Sequence, residues 1–444
     1  MVDVLRRFAT GFSAAAFGVG ADNMRTLSLA VAVAYCFLSL PAGPGQVVSY
    51  AGQIAFQTDP PSLIAFYESV KNVLSRTLRP KDRAKFLETL RQRKALQPEV
   101  PSDRPFPCDT RLGRSPSPPD SVHRLRPGDI DVIAALGDSL TAGNGILAAN
   151  IMQVLAENRG ASWSIGGEGN WRQFLTLPNI LKEFNPRLVG FSLNDSSGHE
   201  KASQFNVGEI FAMSRDLPWQ AQLLVRRMRA HPDVDVQRHW KLVTILIGAN
   251  DFCNELCVGD TARHAVEDHR RDLVAALDCL REQLPRTLVN VVVVPNLELL
   301  RNFTGRTSEC AALVTLLCPC IFQSRERHRL PEFVEVMRRW QQVEIDVAAD
   351  NRYDGLNDFA VVSQPFAKNA TFPTVSLGYT DFSYFSPDCF HFIQKAHARA
   401  ANSLWNNMLE PVGYKSVDWE EPFTRFLCPS EERPYIYTGG NSDL

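Results

Sequence analysis

From Asp129 onward, short runs of apolar residues alternate with longer segments whose apolar residues recur every three or four positions. Four of the runs are apolar almost throughout, which is typical of parallel strands covered on both faces: residues 131–136, 241–247, 287–294 and 358–363. Helical periodicity marks residues 261–283 and 325–349. The alternation predicts an α/β fold, a flavodoxin-like three-layer α/β/α sandwich around a central parallel sheet. Ligands of such sheets bind beyond the carboxyl ends of the strands.

The chain before this domain has a different pattern. Apolar residues at helical spacing predict one amphipathic helix after Pro61 and a second after Pro80. The stretch 71–94 is rich in Lys and Arg, which is typical either of a surface that contacts anionic lipid or of a solvated helix face. We predict a leader at 1–43, a helical segment with linker at 44–105, the main domain at 106–437 and a tail at 438–444.

The leader has the order of a secretory signal. Met24 and Arg25 precede an apolar run at 26–40 and a small-residue exit, so we expect the signal to begin at Met24. As a helix, the run would reach only ~22 Å, which is short of the ~30 Å hydrocarbon core of a membrane. We therefore expect a secreted protein without a transmembrane anchor in the mature chain. Three glycosylation acceptor patterns agree with that route, at Asn194, Asn302 and Asn369.

Charge and cysteine content exclude some classes of function. The formal net charge of −2 offers no basic footprint for nucleic acid, so we predict no nucleic-acid partner. One of the ten cysteines, Cys36, lies in the leader. The other nine favour disulfides in a secreted chain and leave one thiol over, although the spacings do not determine the pairing. Cys253, Cys257, Cys318 and Cys320 lack paired zinc-ligand spacing, so we expect no metal.

A serine stands at the carboxyl end of the first predicted strand, in the stretch AALGDSLTAGNG. Glycines before and after Ser139 permit a tight turn and close approach of a substrate to the backbone. The same Asp-Ser pair is also an ordinary helix cap, so the stretch alone does not identify a nucleophile.

Polar residues follow the strands of the same predicted sheet at two further places in the chain. Asn250 ends the stretch after the second strand, where its amide could donate to an oxyanion. Asp388 and His391 stand three residues apart before a helix, so that the carboxylate can hold the imidazole as a general base for Ser139. The combination predicts a serine hydrolase. It is not of the nucleophile-elbow type, because the chain has no G-x-S-x-G.

At these residues the chain resembles the GDSL, or SGNH, esterases, and more closely the animal membrane-associated phospholipase B family. The resemblance runs from FPCDTRLGRSPSPPDS and IAALGDSLTAGNG through VTILIGANDFC to FSPDCFHF and FLCPSEERPYIY, about residues 106–437. It implies Ser139 as nucleophile, His391 as base, Asp388 as its partner and Asn250 as oxyanion donor. It also implies an SGNH-hydrolase fold that hydrolyses phospholipid and lysophospholipid acyl esters at a membrane or micelle surface without a cofactor. The chain contains one copy of these motifs, so we expect a single-copy, secreted member.

The resemblance leaves the third oxyanion donor open, besides the Ser139 N–H and Asn250. Counting back from Asp216, Phe211 stands where the family has a glycine, while Gly208 lies three residues earlier. Another glycine run, at 166–169, is a further alternative. A phenyl group at this position would crowd the acyl carbonyl. Two alternative functions therefore remain: an esterase for small or carbohydrate esters, and a weakly active or inactive lipid-binding member.

The stretch 216–230 also admits two interpretations. Its leucines, Trp219 and arginines are typical of a helix that docks on a lipid surface, and equally of an amphipathic helix packed on the sheet.

Overall fold

The four apolar runs form one parallel sheet whose strands lie side by side in chain order. The computed structural model describes Val73 and residues 77–442, apart from Leu112 and Asp354. The strands are β1 (Ile130–Gly137), β2 (Trp240–Leu246), β3 (Thr287–Val292) and β4 (Phe359–Gln364). One row across the sheet pairs Ala134 with Val243, Val243 with Val289, and Val289 with Val361. Nearly every strand residue is buried, as expected of strands covered on both faces.

Helices cover the sheet. In chain order they are α1 (Arg83–Gln92), α2 (Ser139–Ala142), α3 (Leu177–Phe184), α4 (Leu217–Ala230), α5 (Ala249–Asn254), α6 (Thr261–Gln283), α7 (Ser308–Leu317), α8 (Pro319–Phe322), α9 (Leu330–Ala348) and α10 (Gln394–Met408). Helices α4, α6 and α9 pack side by side in one layer, and α3 contacts α10. The predicted three-layer α/β/α fold is confirmed.

One predicted helix begins later than the periodicity indicated. Residues 325–349 divide into a 3₁₀ segment, Ser324–Arg329, and α9, which begins at Leu330. Pro331 explains the division, since proline has no N–H to donate and its ring clashes with a preceding helical turn. It is tolerated in the first turn of a helix, which is where it stands in α9.

The free edge of β1 carries two short bridges that the sequence pattern did not predict. Val132 pairs with Val189, and Ala135 pairs with Asn206. Beyond Asn206, the Glu209 N–H donates to the Gly137 carbonyl oxygen over 3.1 Å. These bonds place residues 206–212 against the carboxyl end of β1.

The N-terminal segment packs onto the main domain as far as it is described. The second predicted amphipathic helix is α1, while the leader and nearly all of the first helix lie outside the described residues. Leu90 of α1 belongs to an apolar cluster with Leu147 and Ile393. Arg83 forms ion pairs with Glu168 over 2.7 Å and with Asp195 over 2.6 Å. This part of the basic stretch therefore binds acidic residues of the chain itself.

Four disulfides join described cysteines: Cys108–Cys428, Cys253–Cys318, Cys257–Cys320 and Cys310–Cys389. The expectation of disulfides is confirmed, and the thiol left over is Cys279. The cysteines weighed as zinc ligands are paired with one another in two of these bridges. Within residues 77–442, no helix has both the length and the apolar character to span a membrane.

Candidate active site

Ser139 lies at the point where β1 turns into α2. Asp138 caps this short helix by accepting a hydrogen bond from the Leu140 N–H over 2.9 Å, and Gly143 ends it in the left-handed conformation at φ 85°. The cap interpretation of the Asp-Ser pair therefore applies to Asp138. The Ser139 side chain does not take part in this cap and can bind another partner. The backbone N–H of Ser139 lies in the first turn of the helix, where backbone donors have no intrahelical acceptor.

That partner is His391. The Ser139 Oγ and the His391 Nε2 are 2.8 Å apart, although 252 residues separate them in the chain. The His391 Nδ1 lies 2.5 Å from the Asp388 Oδ2. Because a carboxylate only accepts, Nδ1 carries the imidazole proton, which leaves Nε2 to accept from the serine hydroxyl. The three side chains form a continuous chain of hydrogen bonds.

A glycine permits the approach of the histidine to the serine turn. Gly145 has φ 81°, and a Cβ atom built on it would lie 3.0 Å from the Cβ of His391. Any larger residue would push the histidine backbone away from α2.

Asp388 is held from both of its oxygens. Its Oδ1 accepts from the Ser386 hydroxyl over 2.5 Å and from the N–H groups of Phe390 and His391 over 3.0 Å each. Burial raises the pKa of Asp388, but the charge of His391 and these hydrogen bonds outweigh burial and lower it to about 2. Asp388 is therefore ionised throughout the neutral range. Ser386 was not singled out from the sequence, where a serine in FSPD gives no signal of its role.

The electrostatics of His391 favour its charged form. Burial lowers the pKa of the imidazole, but the Asp388 carboxylate outweighs burial, and the net shift is upward. Asp138 adds to that upward shift. Burial in turn raises the pKa of Asp138 to about 6. The site thus stabilises the imidazolium that forms when a base takes a proton from serine.

Asn250 stands at the start of α5, at the carboxyl end of β2. Its Nδ2 donates to the carbonyl oxygen of Ala212 over 2.9 Å. The next residue, Asp251, accepts from the Ser214 N–H over 3.1 Å and 3.2 Å. Burial raises the pKa of Asp251 well above its usual value. These two neighbours fix the loop that leads from Gly208 to Ser214, and Asp251 is a residue that the sequence did not reveal.

The candidates for the third oxyanion donor differ in whether their backbone N–H groups already have an acceptor. The Gly208 N–H donates to the Asn206 Oδ1 over 3.1 Å. The Gly166 N–H donates to the Ser162 carbonyl oxygen over 2.7 Å, and the Gly167 N–H donates to the Ser192 carbonyl oxygen over 2.8 Å. Phe211 has φ 65°, the left-handed conformation that glycine adopts without strain. No described residue accepts from its N–H. The backbone of Phe211 thus has the conformation expected where the family has a glycine.

The comparison with known proteins identifies the family. The pattern of the family described as "GDSL-like Lipase/Acylhydrolase" matches residues 133–404, more than half of the chain. The chain belongs to the GDSL-like lipase/acylhydrolase family. The prediction of a carboxylic ester hydrolase is confirmed at this level.

Curated relatives of this GDSL chain include two mammalian proteins named "Phospholipase B1, membrane-associated". The human protein is 42% identical over 371 residues, which cover 82% of this chain. The rat protein is 38% identical over 364 residues, which cover 81% of this chain. In both cases the match covers 25% of the relative, so the chain spans about a quarter of the length of these proteins.

An apolar cavity of this GDSL domain is lined by residues that follow Ser139 and His391 in the chain. Leu140, which follows Ser139, and Phe392, which follows His391, both line it, together with residues from the carboxyl ends of β2 and β3. Trp163, Phe372 and Trp419 add aromatic walls. A cavity with this apolar and aromatic lining suits a hydrocarbon chain.

Helix α4, which covers most of the stretch 216–230, packs on the domain. Leu217, Leu224 and Met228 are fully buried, and the Arg227 guanidinium donates to the Gly198 carbonyl oxygen over 2.5 Å. The packed interpretation of the stretch is therefore the one the structure supports.

The three predicted glycosylation residues, Asn194, Asn302 and Asn369, are exposed, and their modification stays a prediction. Within the described residues no group of His, Cys, Asp or Glu has the arrangement of a metal site.

Proposed function

We propose that this chain is a secreted serine esterase that hydrolyses fatty-acyl esters of phospholipids and lysophospholipids through an acyl-enzyme. The observation that carries the proposal is the 2.8 Å contact between Ser139 and His391, with Asp388 on the other side of the imidazole. An apolar cavity lined by Leu140, the residue after Ser139, supports a lipid substrate. The name of the curated relatives supports a phospholipid substrate.

The first half of the reaction forms the acyl-enzyme. The Ser139 Oγ attacks the ester carbonyl carbon while His391 Nε2 takes the hydroxyl proton. The negative charge on the carbonyl oxygen is stabilised by the N–H groups of Ser139 and Phe211 and by the Asn250 amide, which has a second N–H besides the one bound to Ala212. When the tetrahedral intermediate collapses, the imidazolium protonates the leaving alcohol, which is the glycerol oxygen of the lipid.

The second half releases the fatty acid. His391 removes a proton from water, and the resulting hydroxide attacks the acyl carbonyl at the same oxyanion site. Collapse of this intermediate breaks the bond to Ser139 and returns the proton to its Oγ. Asp388 remains a carboxylate throughout and keeps Nδ1 protonated, because the pKa of Asp388 is about 2.

Secretion is part of the proposal. The four disulfides fit an oxidising compartment, and the three exposed acceptor asparagines fit passage through the secretory route.

The test is product analysis on defined substrates with wild type and Ser139→Ala. We expect wild type to release fatty acid from a long-chain lysophosphatidylcholine and from a diacyl phosphatidylcholine, and the variant to release none above background. Hydrolysis of a soluble acetyl ester or an acetylated sugar, with no fatty acid released from either lipid, would favour the small-ester alternative instead. Lipid binding without any turnover would indicate the inactive lipid-binding alternative.

A further inference from the structure

A hairpin near the active site exposes large apolar side chains. Thr374 pairs with Thr380, and the Val375 N–H donates to the Tyr379 carbonyl oxygen over 2.7 Å, which closes the tip. Within the tip, Val375 is 47% exposed, Leu377 is 89% exposed and Tyr379 is 48% exposed. Single exposed apolar residues are ordinary, but three within five positions form a patch that the fold does not bury.

The backbone conformation at the tip is unfavourable for a leucine. Leu377 and Gly378 have φ 69° and φ 75°, and such consecutive left-handed residues occur in turns that favour Asn-Gly. A side chain with Cβ costs ~1–2 kcal/mol in this conformation. Leu377 thus has an unfavourable backbone conformation and no compensating burial. Within the part of the chain that the structure describes, neither turn geometry nor packing accounts for the leucine, which leaves contact with a partner as its physical role.

The hairpin is attached to the catalytic region. Phe372, just before the hairpin, lines the apolar cavity. On the other side, the Thr304 hydroxyl donates to the Gly378 carbonyl oxygen over 2.9 Å. Helix α7 follows Thr304, and its Cys310 is bridged to Cys389, the neighbour of Asp388.

We propose that this docking rim, defined as Val375, Leu377 and Tyr379, inserts into a lipid surface. The inference rests on the proposed function, since it concerns how a lipid ester reaches the same serine. The lining of the apolar cavity by Phe372 favours this occupant, because the segment that carries the rim then also leads to apolar surroundings for an acyl chain. A second copy of the chain is disfavoured, because three side chains fall far short of the roughly 800 Å² that each partner contributes to a stable interface.

The experiment measures binding without catalysis. Ser139→Ala protein is floated with phosphatidylcholine vesicles, alone and with Leu377→Asp or Val375→Asp added. The matched control is Tyr414→Asp, because Tyr414 is 84% exposed and follows the far end of α10. We expect the Leu377 change to lower the partition coefficient ~10- to 100-fold, as for the loss of one inserted leucine, and the Tyr414 change to leave it within twofold.

Each outcome bears on the proposal. Equal binding by the Leu377 and Tyr414 variants would overturn it. Sedimentation that shows a dimer in the parent and a monomer only in the Leu377 variant would assign the rim to a second copy instead. Because the parent carries Ser139→Ala, the result does not depend on turnover. If wild type proves unable to hydrolyse lipid esters, loss of vesicle binding in the rim variants would still support the docking rim.

Discussion

Replacing Asp388 by Asn tests the hydrogen-bond chain most sharply, because the structure determines which way the new amide must face. The Oδ1 of Asp388 accepts from three donors, the Ser386 hydroxyl and the N–H groups of Phe390 and His391. An amide group turned toward them would meet three donors with a donor of its own. The carbonyl oxygen of the asparagine must therefore take the Oδ1 position, which leaves its NH₂ facing the imidazole Nδ1.

That orientation reverses the imidazole tautomer. Nδ1 must now accept, so the proton moves to Nε2, which faces Ser139 and can no longer take the hydroxyl proton. The same tautomer error in a Ser-His-Asp protease lowers kcat ~10⁴-fold, and this corresponds to about 5.4 kcal/mol of barrier. We expect a fall of this size in kcat for Asp388→Asn, with KM changed little because the substrate contacts are intact.

The assay is steady-state release of fatty acid from a long-chain lysophosphatidylcholine across pH, with thermal unfolding to verify the fold. The acid limb of the variant's residual activity should move to lower pH, because the carboxylate that raises the pKa of His391 is gone and burial, which lowers it, remains. A folded variant that retains more than a tenth of wild-type kcat would refute the reasoning, as would an unmoved acid limb.

Three further predictions follow from the same geometry. In wild type, kcat/KM should fall on acidification with an apparent pKa above the ~6.5 of free histidine, because the pKa of His391 is raised and only the neutral imidazole acts as base. An apparent pKa below ~6.5 would contradict this. The pKa of Asp388 is lowered to about 2, so the carboxylate's contribution to stability is present above pH ~4 and is lost as the pH falls toward 2. In urea unfolding, the difference in free energy of unfolding between wild type and Asp388→Asn should therefore narrow as the pH falls from ~4 toward 2. A difference that stays constant over this interval would contradict the prediction. Phe211→Gly should give a kcat at least equal to wild type on long-chain esters, because the left-handed backbone and its N–H are retained while the ring is removed; a tenfold loss in single-turnover assays would show that the ring, not the N–H, matters.

The sheet and the strand ends could be predicted from sequence because their signal is local. Runs such as residues 131–136 and 241–247 are apolar almost throughout, which is the composition expected of a strand covered on both faces. Helix α6 has the bounds that its periodicity indicated, Thr261–Gln283. The start of α9 differed because Pro331 limits the helix in a way that apolar periodicity does not register.

The supporting residues of the site could not be predicted, since their roles depend on contacts between distant segments. Ser386 donates to the Asp388 carboxylate, and Asp251 accepts from the Ser214 N–H. Any polar residue in a turn can form such a bond, so the sequence does not single these two residues out. The left-handed backbone conformation of Phe211 could not be predicted either, because the composition of the stretch does not reveal the φ of one residue. The disulfide pairing likewise depends on which distant segments of the chain meet in the fold.

The central claim is that Ser139 carries the acyl group during turnover. The most direct measurement is rapid acid quench of the enzyme with a long-chain acyl ester, followed by peptide mass spectrometry of the trapped adduct. The account predicts one acyl group on the peptide that contains Ser139, and none on the Ser139→Ala protein. Turnover with the acyl group on another residue, or the same adduct in the alanine variant, would contradict it.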